Sequence, residues 1–160
     1  MKNIFFIIIL ILSNLIGQDS IGTGLFNEDL ISFLRENYKT STTLGYNNAR
    51  DTLYSIIDIQ DGQVKGIYTN FSVNLPSDVD PSTYLYENGI NCEHVWPQSL
   101  YEGGEPIKSD LHALRPCKDN VNSSRGNKPF NEIDDIDVNS WYWLDNQTSN
   151  IPSSNIDEYS

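Results

Sequence analysis

The chain has 160 residues, of which 38% are apolar, so it is long enough for one domain with a hydrophobic core. Its formal net charge of −12 at pH 7 argues against a protein that binds nucleic acid through an overall basic surface. Residues 108–128 are an exception, because five basic and two acidic residues give this segment +3 against −15 for the rest. The segment is either a mixed solvated face or a phosphate-facing surface.

The first residues predict an export signal. A short basic start, Met1-Lys2-Asn3, precedes an unbroken run of nine apolar residues from Ile4 to Leu12. A membrane-spanning helix needs about 20 apolar residues, so we interpret residues 1–17 as a signal peptide, with a membrane anchor as the alternative. Residues 22–160 then form the folded domain, which we expect in the periplasm or outside the cell, without stable membrane association.

Helical spacing of apolar residues predicts two helices after the signal. The first helix begins at Asn27, which we expect to be its N-cap. The second covers about residues 47–57 and is expected to bury Leu53, Ile56 and Ile57.

Strands and one further helix are predicted downstream. Residues 64–68 form one strand, and residues 90–97 form a second that ends at its proline. A short third strand over residues 111–114 is ended by Pro116, and a helix follows over residues 120–126. The local order is therefore strand, loop, strand, helix.

A carboxylate, a histidine and an amide fall within this segment. Glu93 directly precedes His94, and Asn122 lies in the predicted helix. Carboxylate and amide oxygens suit a hard cation such as Mg²⁺, and a neutral imidazole can take a proton from water near pH 7. Neighbours on a strand point to opposite faces, so Glu93 and His94 share a site only if the strand bends or ends there. A surface pair or a packed histidine is the more common interpretation of such residues alone.

Three motifs follow one another here: EHVWP at residues 93–97, DLHALRP at 110–116 and VNSSRGNKPF at 121–130. Together they resemble the bacterial endonuclease I family, periplasmic or extracellular nucleases of the His-Me finger (ββα-metal) type. The resemblance implies an α+β fold with a His-Me finger core flanked by helices. It implies an exported, metal-dependent and largely sequence-nonspecific endonuclease that hydrolyses DNA, with RNA as an open second substrate. We expect a monomer.

The resemblance also implies a role for each motif residue. His94 would be the general base that activates water. Glu93 and Asn122 would bind one Mg²⁺ or another divalent cation. Arg125 would contact phosphate or hold the helix in place, and His112 would be structural.

The chain departs from the family in two ways. The family can supply an arginine between the two strands to hold the cleaved phosphate, whereas residues 98–109 offer only Lys108. Family members also carry more helical sequence after this point, which predicts that the chain is incomplete at its C-terminus.

The two cysteines, Cys92 and Cys117, predict one disulfide, because an even count in an exported protein favours pairing. An alternative is a structural zinc site with Cys92, His94, His112 and Cys117 as its ligands. A further alternative is a non-catalytic nucleic-acid-binding relative of the nucleases.

Overall fold

The computed structural model describes residues 21–39, 42–154, 157 and 159. The predicted signal peptide therefore lies outside the described residues. The described residues form short helices and small antiparallel sheets, an α+β architecture. They belong to two units, Met1–Ser41 and Thr42–Ser160. None of the helices in this described part is long and apolar enough to cross a membrane.

The first unit contains helix α1 (Asn27–Tyr38), which confirms the first predicted helix. The predicted cap is wrong by one residue, because Asn27 is already helical and the cap position is held by Phe26, which makes no side-chain capping bond. None of the residues of α1 is buried.

The second unit holds the remaining elements. In chain order they are α2 (Tyr46–Thr52), a π-helical turn (Leu53–Ile57), β1 (Ile59–Gln60), β2 (Gln63–Lys65), β3 (Ser72–Asn74), α3 (Pro81–Glu87), β4 (Ile90–His94), two 3₁₀ turns (Gln98–Leu100 and Ile107–Ser109), β5 (Leu114–Lys118), α4 (Asp119–Arg125), a further 3₁₀ turn (Asp135–Asp137), β6 (Trp141–Trp143) and β7 (Asn146–Thr148). The sheets are β1-β2-β3, β4-β5 and β6-β7, each with antiparallel neighbours.

The π-helical turn after α2 changes which residues face the core. Leu53 and Tyr54 are buried, whereas Ile56 is 72% exposed and Ile57 is also exposed. The predicted burial of Ile56 and Ile57 is therefore wrong. The N–H of Asp58 bonds to the carbonyl of Leu53, five residues back, so the turn is wider than an α-helical turn and the 3.6-residue spacing no longer applies.

Strand β2 is shorter than the predicted strand over residues 64–68. It ends at Lys65, although the Gly66 N–H still donates to the carbonyl of Phe71 in the register of the β2–β3 pairing. The Ile67 N–H then donates to the carbonyl of Pro116 over 2.9 Å. The central residue of β2, Val64, is fully buried, so this strand still contributes to the core.

Strand β4 confirms the start of the strand predicted over residues 90–97 but ends at His94, and the strand predicted over residues 111–114 is wrong except at Leu114. Residues 111–113 form a turn, and β5 runs from Leu114 to Lys118 with Pro116 inside it, opposite Cys92. The Val95 N–H donates to the carbonyl of Ala113, and the Asp119 N–H donates to the carbonyl of Gly89. Hydrogen-bonded and non-hydrogen-bonded pairs alternate along an antiparallel ladder, so the Cys92–Pro116 pair between these bonds is a non-hydrogen-bonded pair. Proline needs no N–H at such a position, so the strand continues through it.

Two cores flank the β4–β5 ribbon. The larger core contains Cys92 and packs it against α2, α3 and the π-helical turn. The smaller core contains Cys117 with Val121 and Tyr142. Trp141 and Tyr142, near the C-terminus, are also buried.

The predicted disulfide is wrong in this fold. Cys117 stands opposite Asn91 and not opposite Cys92, and this offset of one residue sends the two thiols to opposite faces of the ribbon. Both cysteines are buried and free. Burial raises the pKa of Cys92 to about 11 and that of Cys117 to about 12, so both are thiols at neutral pH.

The π-helical turn can be tested by a pair of alanine variants. Leu53→Ala should lower the free energy of unfolding by about 2–5 kcal/mol, because it opens a cavity in the core. Ile56→Ala should change it by no more than about 0.5 kcal/mol, because this side chain is largely solvated. Urea unfolding followed by tryptophan fluorescence measures both. Similar losses in the two variants would contradict the observed turn.

The cysteine state predicts the result of alkylation. The protein purified from an oxidising compartment and denatured without reductant should take up two alkyl groups, and prior reduction should not change its mass. Intact-mass spectrometry checks this. A protein that resists alkylation until it is reduced would show that the two cysteines pair, and the β4–β5 register would then need revision.

Candidate active site

A cleft of about 280 Å³ lies along the edge of β4 that faces away from β5. We call it the β4-edge cleft. It is lined by Tyr46, Asn91, Cys92, Glu93, His94, Gln98, Asn122, Arg125, Gly126 and Asn127. Since an edge borders both faces of a strand, side chains on successive residues can reach it. Glu93 and His94 therefore share one cleft although they point to opposite faces of β4.

Glu93 is a buried carboxylate with two side-chain partners. Its Oε1 accepts a hydrogen bond of 3.0 Å from the Tyr68 hydroxyl and lies 2.8 Å from Arg125 Nε. The Nε–H is not aligned for a hydrogen bond, so the contact with Arg125 is an ion pair. Burial raises the pKa of Glu93, and the Arg125 charge and the Tyr68 bond oppose that rise. Both side-chain partners use Oε1, and the carboxylate also accepts a hydrogen bond from the backbone N–H of His94.

Asn122 approaches from the middle of α4. Its Nδ2 donates a hydrogen bond of 3.0 Å to the carbonyl of Cys92. Cys92 belongs to a non-hydrogen-bonded pair, so this carbonyl points away from β5 and is accessible at the edge. This bond fixes the orientation of the Asn122 side-chain amide, because only its nitrogen can donate. The amide oxygen, Oδ1, is then the atom that the side chain can offer as an acceptor.

The imidazole of His94 is held in one tautomer. Its Nε2 lies 3.1 Å from the carbonyl of Lys108, and because a carbonyl only accepts, Nε2 carries the hydrogen. Nδ1 then carries the lone pair, which accepts from the Gln98 amide nitrogen at 2.8 Å. The Tyr46 ring stacks on the imidazole, with centroids 5.4 Å apart. Burial lowers the pKa of His94, so the ring is neutral at pH 7.

Arg125 connects the end of α4 to the end of β4. Besides its ion pair with Glu93, it donates from Nη2 to the carbonyl of Val95 and from Nη1 to that of Gly126, each over 3.1 Å. Its guanidinium also lies over the Phe130 ring, 4.6 Å from the centroid. These contacts hold the guanidinium in place on several sides.

His112 and the predicted zinc ligands do not assemble into a site. The His112 side chain is 98% exposed and contacts Asp110, outside the cleft. The structural role of His112 stays a prediction, and the contact that could carry it is the one with Asp110. Within the described ranges no three His, Cys, Asp or Glu residues are placed to hold a metal ion together, so the zinc alternative finds no support.

Several residues of this site carry no signal in the sequence motifs. Tyr46 and Tyr68 come from upstream segments and reach His94 and Glu93 only through the tertiary fold. The Lys108 carbonyl is a backbone group, which no side-chain motif can indicate. Gln98 is different, because it directly follows the EHVWP motif and could have been proposed as a site residue from the sequence.

The comparisons with known proteins point to one family. A family model described as Endonuclease I matches residues 27–160, a range that includes every residue of the β4-edge cleft. No curated protein and no solved structure matches the chain.

Proposed function

The chain belongs to the endonuclease I family, a family of nucleases, and on that premise we propose that the β4-edge cleft is its phosphodiesterase active site. We propose a metal-dependent and largely sequence-nonspecific endonuclease, built on a His-Me finger core formed by β4, β5 and α4. The observation that carries the proposal is the convergence of Glu93, His94 and Asn122 on one cleft, with the imidazole in a tautomer that leaves a lone pair on Nδ1.

The donor set of the cleft fits a hard divalent cation. The Glu93 side chain offers a carboxylate oxygen and the Asn122 side chain an amide oxygen, and Mg²⁺ prefers a few such oxygens together with several waters. Glu93 and Asn122 would hold the ion. When bound there, the ion would stabilise the negative charge on the phosphate and on the leaving 3′ oxygen.

His94 is the proposed general base. Its Nδ1 takes a proton from the water whose oxygen forms a bond to phosphorus, while the bond from phosphorus to the 3′ oxygen breaks. The Lys108 carbonyl accepts from Nε2 and so stabilises the imidazolium that forms. The Gln98 amide donates a hydrogen bond to Nδ1 in the structure. For the reaction, the attacking water must replace this amide as the hydrogen-bond partner of Nδ1.

Arg125 has two proposed roles, contact with phosphate and support of the helix. Its ion pair with Glu93 and its bonds to Val95 and Gly126 favour support. We therefore propose that Arg125 is a positioning residue that sets the orientation of the Glu93 carboxylate. The exposed Lys128 and the half-buried Lys108 are left as cations for the substrate backbone. Contacts to phosphate carry no base information, which is consistent with nonspecific cleavage.

Substrate choice and location complete the proposal. DNA is the proposed substrate, with RNA as a second one. The basic start and apolar run of residues 1–17 support export to the periplasm or the medium, as does the family. The protein is proposed to act as a monomer.

The two histidines of the chain provide a matched test of the proposed base. His94→Ala should lower the rate of plasmid nicking by about 10²–10⁴-fold, the usual contribution of a general base. His112→Ala should cut at the normal rate, because its side chain is exposed and lies outside the cleft. A nicking time course on folded variants with Mg²⁺ measures both. If His94→Ala cut as fast as His112→Ala, His94 would not be the base.

The metal ligands predict a change in ion requirement. Glu93→Gln and Asn122→Ala each remove or weaken an oxygen donor, so each variant should need more Mg²⁺ for half-maximal activity or lose activity entirely. Ser123→Ala is the control, since Ser123 neighbours Asn122 on α4, is exposed and bonds only to its own helix through the carbonyl of Asp119. Activity is titrated against Mg²⁺. Superimposable curves for all three variants would place the ion elsewhere.

A further inference from the structure

A second cavity, of about 400 Å³, lies beside the β4-edge cleft. We call it the Phe130 cavity. Its floor is formed by Val121 of α4 and Tyr142 of β6, and the Tyr142 hydroxyl lies 2.7 Å from the Ser124 hydroxyl. Apolar side chains from the following loop, Phe130 and Ile133 among them, form its wall. The volume is within the range of about 300–1,000 Å³ that is typical of small-ligand sites.

The Phe130 ring is anchored and still accessible. The Arg125 guanidinium lies over the ring at 4.6 Å, and the Tyr68 ring meets it at 6.2 Å in an edge arrangement. These contacts limit the orientations of the ring. The residue is nevertheless 64% exposed, so much of the ring surface can receive a flat partner.

The Phe130 cavity adjoins the proposed active site. Arg125 is shared by the described linings of both, and Tyr68, which lines the cavity, donates to the Glu93 carboxylate. A nucleotide whose phosphate lies at Glu93 would therefore have a neighbouring base within reach of Phe130. Lys128 on the rim is complementary to the charge of a phosphate backbone, and Asp137 and Asn139 add polar groups to the lining.

We infer that the Phe130 cavity binds one unpaired nucleobase of the substrate strand, next to the phosphate that is cut. The inference rests on the proposed function and names its substrate class. An aromatic side chain accepts any base by stacking, which keeps recognition nonspecific. A base in a duplex is already stacked and paired, and extracting it costs free energy, so single-stranded or locally unpaired nucleic acid is the preferred substrate.

The test compares strands that differ only in their bases. A fluorescein-labelled 12-nucleotide DNA strand and an abasic oligomer of the same length are titrated with the full chain in EDTA, and binding is followed by fluorescence polarisation. Phe130→Ala should weaken binding of the base-bearing strand by about 5-fold or more and leave the abasic oligomer unaffected. Phe130→Trp should bind the base-bearing strand as the unaltered protein does. Ile136→Ala, which removes an 84% exposed side chain outside the cavity lining, should have no effect.

Other outcomes overturn the inference. If Phe130→Ala weakened binding of both oligomers equally, Phe130 would contribute to contacts with the sugar-phosphate backbone or to folding. No loss on either would show that the cavity takes something else, such as an apolar protein segment. Cleavage of the same strand with Mg²⁺ is scored separately, so a protein that binds bases but does not cut would refute the proposed function and leave only the base-binding role of the Phe130 cavity.

Discussion

The geometry of the site depends on one non-hydrogen-bonded pair, Cys92 opposite Pro116 in the β4–β5 ribbon. Because proline has no N–H, it fits at this position of the ladder, and the same alternation turns the Cys92 carbonyl to the outer edge of β4. Asn122 binds that carbonyl and so fixes α4 against the strand. A shift of one residue would turn the carbonyl inward and exchange the faces of Glu93 and His94.

Charge within the site is balanced at short range although the chain carries −12 overall. A buried carboxylate such as Glu93 is costly unless it is paired, and Arg125 and Tyr68 supply its partners. Because Arg125 is committed to Glu93 and to backbone carbonyls, it is poorly placed to hold a phosphate alone. The site therefore differs from one in which a separate arginine binds the cleaved phosphate. Lys108 and Lys128 are therefore the cations that we propose for contact with the substrate backbone.

Local signals predicted the parts of the fold that depend on neighbours in sequence. Strand β4 could be predicted because Gly89 and Pro97 delimit it, and α4 because Gly126 ends it with a positive φ. The π-helical turn, the course of β5 through Pro116 and the offset of the cysteines depend on pairing with distant segments, and residue spacing does not encode that pairing. The motifs named the acidic, amide and histidine side chains of the cleft. Their chemical roles stay predictions, and Tyr46 and Tyr68 come from segments without a motif.

Cleavage of supercoiled plasmid by the unaltered protein tests the central claim most directly. Purified protein is incubated with plasmid in Mg²⁺ and, in parallel, in EDTA, with circular dichroism recorded on both samples. We expect nicked and then linear DNA with Mg²⁺, and intact plasmid in EDTA with the fold retained, because the ion serves chemistry and not folding. A folded protein that leaves the plasmid intact in both Mg²⁺ and Mn²⁺ would contradict the claim that the β4-edge cleft is a nuclease active site.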